Sequence, residues 1–165
     1  MAERMKHRTG VPKLDLMDRR LLEKAQDDFP LTVRPWKSIG DDLGITEMEV
    51  MERLARLSRQ GVIRKIGPAL DARRIGLRAS TLIAMKVPKA RIQKVAKLVS
   101  KYREVSHCYE REHVYNLWFT IAAPDEADLR KLIEGLTRAA DIAENDVLNL
   151  PTTRMFKIDV RFQLT

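Results

Sequence analysis

The second half of the chain switches between two hydrophobic periods in an order that few folds can use. Ser80 to Val87 is an apolar run of strand length, stopped by Pro88. Lys89 to Tyr102 then sets Ile92, Val95, Ala96 and Val99 at helical spacing. Glu104 to Glu110 and Val114 to Ala122 read as two strands, with Arg111-Glu112-His113 between them short enough for a hairpin. Pro124 to Ala140 returns to the helical period, with Leu129, Leu132, Ile133 and Leu136 facing inward. Asp146 to Leu150 and Arg154 to Phe162 make a last strand region, interrupted by Pro151, which has no N–H to give a ladder. The order β-α-β-β-α-β predicts a ferredoxin-like sandwich over residues 78–165, with both helices on one face of the sheet. The other face needs a cover, and a second subunit is the natural one for so small a domain.

The first half keeps the helical period throughout. Leu14 to Phe29 predicts a helix capped by Asp15, with Met17, Leu21, Leu22 and Ala25 on one side, ending at Phe29-Pro30. Pro35 suits the first turn of a short second helix carrying Trp36, Ile39 and Leu43. After Gly44, Thr46-Glu47-Met48-Glu49 is a capping box opening a third helix, whose stripe is Val50, Leu54 and Leu57 and whose end is Gly61. Three short helices with a tight turn between the last two predict a helix–turn–helix. Val62 to Gly67 and Leu70 to Leu77 are expected as two short wing strands. The chain is therefore read as α+β: a basic arm over 1–13, a winged helix–turn–helix over 14–77, and the α/β sandwich over 78–165.

Bulk properties narrow the setting. No apolar run in the 165 residues approaches the roughly 20 needed to span a bilayer, so no membrane association is expected. Met1 to Lys13 lacks the apolar stretch of a signal peptide. Cys108 is the only cysteine, which excludes an intrachain disulfide framework and a cysteine-held iron–sulfur or zinc site, and fits a reducing cytoplasm. The net charge of +8 suggests an anionic partner, but residues 1–76 and 77–165 carry +4 each, so the excess is not concentrated on the DNA-binding type of fold.

The third helix itself argues against DNA. A recognition helix meets bases through its N-terminal residues. Here that end carries Glu47, Glu49 and Glu52, which phosphates repel, although Arg53, Arg56 and Arg59 follow. A second basic group, Arg64, Lys65, Arg73, Arg74 and Arg78, faces only Asp71 in sequence and sits near the expected domain junction. Arginine forks hold carboxylates bidentately there as readily as phosphates.

Chemistry concentrates in residues 106–118, Ser-His-Cys-Tyr-Glu-Arg-Glu-His-Val-Tyr-Asn-Leu-Trp. Hairpin tips ordinarily favour Gly, Asn and Asp. This one gathers two histidines, an arginine, two tyrosines, an asparagine and a tryptophan. Strand alternation places Val105, His107 and Tyr109 on one face, Tyr115, Leu117 and Phe119 on one face of the next strand, and Asn116 and Trp118 on the other. Each has a structural alternative: a satisfied histidine, a core aromatic with a bonded polar tip, a surface pair of Arg111 with Glu110 or Glu112. Two histidines with no helical His-x-x-x-His pair and no set of cysteine partners do not make a metal site.

Two resemblances follow from specific blocks. Leu14-Asp15-x-x-Asp18-Arg19-x-Leu21-Leu22, Ile39-x-x-x-Leu43-Gly44-Ile45-Thr46 and Val50-x-x-Arg53-Leu54-x-x-Leu57-x-x-x-Gly61-Val62-Ile63 resemble the Lrp/AsnC regulators. More closely, the chain resembles the siroheme decarboxylases, which share that architecture. The carrying blocks are Phe29-Pro30-Leu31 with Arg34-Pro35-Trp36, Gly61 to Gly67, Val105-Ser106-His107-x-Tyr109-x-Arg111-x-His113-x-Tyr115-Asn116-Leu117-Trp118-Phe119-Thr120, and Leu150-Pro151-Thr152-x-Arg154-x-Phe156-Lys157. The resemblance implies loss of CO2 from two acetate side chains of siroheme, giving 12,18-didecarboxysiroheme in alternative haem or haem d1 synthesis. It implies a heterodimer with a related subunit and no cofactor beyond the iron that siroheme brings. Within that reading His107 or His113 is the proton donor or a group close to the substrate iron. Arg111 and Arg154 hold carboxylates, Tyr109 and Asn116 orient acid or substrate, Trp118 and Tyr115 wall the macrocycle, and Arg34, Arg64 and Lys65 are more distant anchors. A DNA-binding regulator and a non-catalytic tetrapyrrole carrier or sensor are the alternatives.

Overall fold

The computed structural model describes residues 10–27, 29–154, 156–157 and 161–164. They divide into two compact units. The first runs to Pro68 and takes in the described C-terminal residues 161–164; the second runs from Ala69 to Lys157. The division falls ahead of the 77/78 boundary expected from the sequence, and most of the basic arm expected over 1–13 lies outside the described residues.

In the first unit, α1 (Leu16–Asp27), α2 (Pro35–Leu43) and α3 (Glu47–Arg59) close on Leu21, Ile39, Val50 and Leu54, with Trp36, Leu43, Ile45 and Ile63 packed against them. Asp15 and Asp18 cap α1 reciprocally: each carboxylate accepts the other's backbone N–H, at 2.6 and 3.2 Å. Thr46 caps α3 by accepting from the Glu49 N–H at 3.1 Å. Glu49 does not complete the expected box; its carboxylate takes Arg53 Nε at 2.9 Å instead. Gly61, at φ 78, provides the left-handed residue after α3. Residues 161–164 run along α1. Arg19 and Gln26 donate to the Leu164 and Phe162 carbonyls, and Glu23 accepts from the Leu164 N–H at 2.7 Å.

The two wing strands are not formed. Residues 63–66 have no ladder, and Gly67-Pro68 interrupts the run with a residue that has no N–H. Asp71 then folds the next segment into turns, its carboxylate accepting the N–H groups of Arg73 and Arg74, while the Leu77 N–H returns to Ala72 O at 2.9 Å. The helix–turn–helix therefore stands without a β wing among the described residues.

The second unit has the expected order. β1 (Ala79–Met85), α4 (Ile92–Val99), β2 (Val105–Glu110), β3 (Leu117–Ala123), α5 (Glu126–Ala140) and β4 (Val147–Pro151) build one sheet in the order β2-β3-β1-β4, every neighbouring pair antiparallel. Lys89–Arg91 forms a 3₁₀ turn ahead of α4, so the helix expected from Lys89 to Tyr102 is shorter in its α-helical part. The last strand stops at Pro151, and the described residues of the expected 154–162 extension are not in the sheet. Ile83, Met85, Leu117, Phe119 and Ile121 bury one face against Val95 and Val99 of α4 and Leu129 and Leu136 of α5. The opposite face carries Leu82, Ala84, Trp118, Thr120, Leu148 and Leu150, from registers that pair Leu82 with Thr120 and Leu150, and Ala84 with Trp118 and Leu148. Leu82 and Leu150 stand open there.

Candidate functional site

β2 is an edge strand, and its alternation is broken by a bulge between Val105 and His107. Val105 opposes Ile121 and packs into the core, but so does Cys108, opposite Phe119. The extra residue shifts the pattern by one. His107 and Tyr109 consequently share the outer face, opposite Thr120 and Trp118, and Val105 does not join them. This corrects the simple alternation read from the sequence. The two rings stack at 6.1 Å and 20°, and Ser106 Oγ lies 3.0 Å from His107 Nδ1.

β3 begins at Leu117, so Tyr115 is not a strand residue facing the core with Leu117 and Phe119. Residues 111–116 form a loop folded over the outer face. Trp118 is its platform: the Arg111 guanidinium carbon sits 5.5 Å above the indole, and the His113 ring meets it edge-on at 6.4 Å. His113 also stacks on Tyr115 at 6.2 Å. The Tyr115 backbone ties the group together, its N–H donating to His113 Nδ1 at 3.1 Å and its carbonyl accepting Trp118 Nε1 at 2.6 Å. Asn116 closes the loop. Its side-chain carbonyl accepts the Val87 N–H at 2.9 Å and its amide donates to Val87 O at 2.8 Å, while its backbone carbonyl takes the Arg111 N–H at 2.9 Å.

His107, Tyr109, Arg111, His113, Tyr115 and Trp118 are thus assembled on and beside one sheet face. Arg154 is not in that cluster: it follows β4, at the other edge of the sheet, and stacks over Phe156 at 4.7 Å. Arg34, Arg64 and Lys65 belong to the first unit, where Arg34 pairs with Glu47 and Arg64 and Lys65 are exposed. Cys108 is no nucleophile candidate; burial pushes its thiol upward, against a hydrogen bond from Ser100 that lowers it. Among the described residues no three His, Cys, Asp or Glu side chains group as metal ligands, and no helix is long and apolar enough to cross a membrane.

Sequence reasoning missed a second constellation, on α3. Arg53 bonds Glu49, Asp15 and Asp18 at 2.8–2.9 Å, and Arg56 bonds Asp18 at 2.5 Å. Asp18 is 1% exposed. The three carboxylates hold the Arg53 guanidinium well above its ordinary range, the Asp15 hydrogen bond contributing most. Asp15 is in turn held below the usual carboxylate range, chiefly by Arg53. The exposed stripe of α3 is left with Met48, Met51, Glu52, Ala55, Ser58 and Arg59. The Asp15-x-x-Asp18 spacing and the Arg53-x-x-Arg56 spacing were visible, but their meeting depends on how α1 crosses α3.

A helix–turn–helix unit joined to an open-faced ferredoxin-like unit defines the class of the AsnC-like two-domain proteins, and residues 74–157 match the AsnC-like ligand-binding domain. Residues 18–64 match the siroheme decarboxylase NirDL-like helix–turn–helix domain. The chain is 42% identical to the siroheme decarboxylase NirD subunit of Pseudomonas aeruginosa, over 92% of this chain and 97% of that one. It is 40% identical to the siroheme decarboxylase alpha subunit of Nitratidesulfovibrio vulgaris, over 95% and 87%. The crystal structure of siroheme decarboxylase NirDL in co-complex with an iron-uroporphyrin III analogue superposes with a TM-score of 0.61 at 33% identity, covering 81% of this chain and 43% of that one. The chain belongs to the siroheme decarboxylase family.

Proposed function

We propose that this chain is one subunit of an enzyme that removes CO2 from two acetate side chains of siroheme, giving 12,18-didecarboxysiroheme in alternative haem or haem d1 synthesis. The observation that carries the reading is the outer sheet face, where the His113 imidazole and the Arg111 guanidinium converge on Trp118, and His107 stacks on Tyr109 opposite Thr120, in a member of this family. A flat aromatic platform suits a macrocycle, and Arg111 above it suits a peripheral carboxylate. The relatives are named as subunits, and this chain spans less than half of the NirDL chain, which leaves room there for a second subunit-sized segment. A related subunit covering the open face, in the cytoplasm, completes the picture.

Losing CO2 leaves an electron pair on the former methylene carbon. The conjugated ring takes part of it, and the carbon then needs a proton. Imidazole is the side chain best suited to supply one near neutrality. Arg111 holds a carboxylate beside it, Tyr109 stacks on His107, and Tyr115 and Trp118 wall the ring. Arg154 meets a carboxylate on the far side, and no cofactor beyond the substrate iron is required. Asn116 is better read as holding the loop than as touching substrate, since both ends of its amide are bonded to Val87. The reading leaves DNA out of the helix–turn–helix's role; in its support, Arg53 and Arg56 are bonded to carboxylates of the same unit.

The test is an anaerobic incubation of the purified chain with siroheme, alone and with its candidate partner subunit, following product mass. Stepwise loss of one and then two CO2, stopping at two, is expected. Tight binding without mass change would favour a carrier, and no binding would return the regulator, to be tested by salt-dependent titration with duplex DNA.

A further inference from the structure

α3 carries six charged side chains, and four of them are engaged within the first unit. Glu47 pairs with Arg34, Glu49 with Arg53, and both Arg53 and Arg56 with Asp18. Glu52 and Arg59 have no ion-pair partner among the described residues, and both are exposed. They stand two turns apart on one side of the helix, about 10.5 Å along its axis.

An uncharged strip runs beside them. Met48 and Met51 are 68% and 51% exposed, and Ala55 and Ser58 follow on the same face. A lone exposed methionine is ordinary. These four instead repeat at three and four residues, the spacing of a seam between two helices. Ala55 and Ser58 are small, which lets a second helix axis come close. Met48, Glu52 and Arg59 also wall a groove of about 920 Å³ along this side of α3. DNA fits the face poorly: Arg53 and Arg56 are held by carboxylates, and a free carboxylate and two methionines point outward.

We propose that this face of α3 binds the same face of a second copy of the chain, the two helices running antiparallel about a two-fold axis beside Ala55. A two-fold contact must be self-complementary, and this strip is: it has an acid toward one end, a base toward the other and small residues between. Antiparallel helices set Glu52 of each copy against Arg59 of the other. Parallel helices would set Glu52 against Glu52 and Arg59 against Arg59, so charge fixes the direction. One helix face is at the small, transient end of interface sizes, so the pairing is reversible and depends on concentration. It uses none of the residues of the open sheet face.

The test is sedimentation of the full chain at rising concentration. The wild type is expected to approach twice the mass of Glu52→Arg at equal concentration. Like charges brought together are expected to weaken the pairing about tenfold or more in Glu52→Arg and in Arg59→Glu. Both positions are exposed, so each variant is expected to keep the wild-type melting temperature. Combining the two reversals in one chain is expected to restore the doubled mass. An equimolar mixture of the two single variants is expected to restore it too, since one then offers two arginines and the other two glutamates. A wild type no heavier than Glu52→Arg, a doubled mass that survives either single reversal, or a mixture that stays apart would overturn the proposal. Duplex DNA that binds the wild type and competes with the pairing would give the face to DNA instead. Mass is the readout throughout, so the result stands whatever the outer sheet face binds.

Discussion

The side-chain amide of Asn116 lies along the backbone of Val87 as a strand would, accepting its N–H at 2.9 Å and donating to its carbonyl at 2.8 Å. β1 has ended at Met85, and the Asn116 N–H bonds the Met85 carbonyl at 3.0 Å. One residue thus carries the β1–β3 pairing past the strands' own ends and fixes the root of the loop bearing Arg111 and His113. Asn116→Ala leaves the Val87 groups without that partner and is expected to destabilise the second unit by about 1–3 kcal/mol. Asn116→Asp keeps the acceptor alone and should fall between. Thermal unfolding measures the cost, and turnover is expected to fall more than stability alone explains.

Trp118 has two separable jobs. Its Nε1–H bonds Tyr115 O, and its ring underlies Arg111 and His113. Trp118→Phe retains a ring and loses the hydrogen bond, worth about 1 kcal/mol, so a several-fold loss of siroheme affinity is expected. Trp118→Ala removes the platform too and should cost tenfold or more. Fluorescence or absorbance titration with siroheme distinguishes them.

Gly40 is required by closeness. A Cβ there would stand 2.7 Å from the Ile45 carbonyl oxygen and 3.3 Å from the Thr46 carbonyl carbon, both backbone atoms of the turn into α3. Gly40 O also accepts the Ile45 N–H at 3.0 Å. Gly40→Ala must push the turn away, at about 1–3 kcal/mol, the range of overpacking. A lowered melting temperature for this variant, with siroheme turnover preserved at low temperature, is the expected pair of observations.

The carboxylate–guanidinium group joining α1 to α3 makes a pH prediction. Asp15 is held below its ordinary 3.8, first by its hydrogen bond to Arg53. A carboxyl lowered on folding contributes stability that is present above its unfolded value and is lost as pH falls through the folded one. Asp15→Asn should therefore narrow the stability gap to the wild type as pH drops below about 4. Asp18→Ala, at a buried position facing Arg53 and Arg56, should cost on the order of 3 kcal/mol near neutrality. Unfolding midpoints against pH for the two variants and the wild type test both.

Elements whose structure follows from their own residues were legible in the sequence. Pro35 and Gly44 bracket α2, Asp125 caps α5 through the Asp128 N–H, and the alternating apolar residues of β3 face the core. What was not legible depends on partners distant in sequence. The expected wing had the composition of strands, but Asp71 captured its backbone locally. The bulge at Ser106 left no mark in the hydrophobic pattern, because Val105 and Cys108 are both acceptable core residues, yet it decides which way His107 faces. The site cluster itself was visible as residues 106–118. Its separation from Arg154 was not, because sheet order and the early end of β4 set that distance.

The most direct measurement is the rate of CO2 release from siroheme by His107→Ala in complex with its partner subunit, read beside the Kd for siroheme. A loss of a hundredfold or more in rate with Kd changed only a few-fold is predicted, as for a proton donor on the outer sheet face. A rate within a few-fold of the wild type would contradict it and move the chemistry to another group or to the partner.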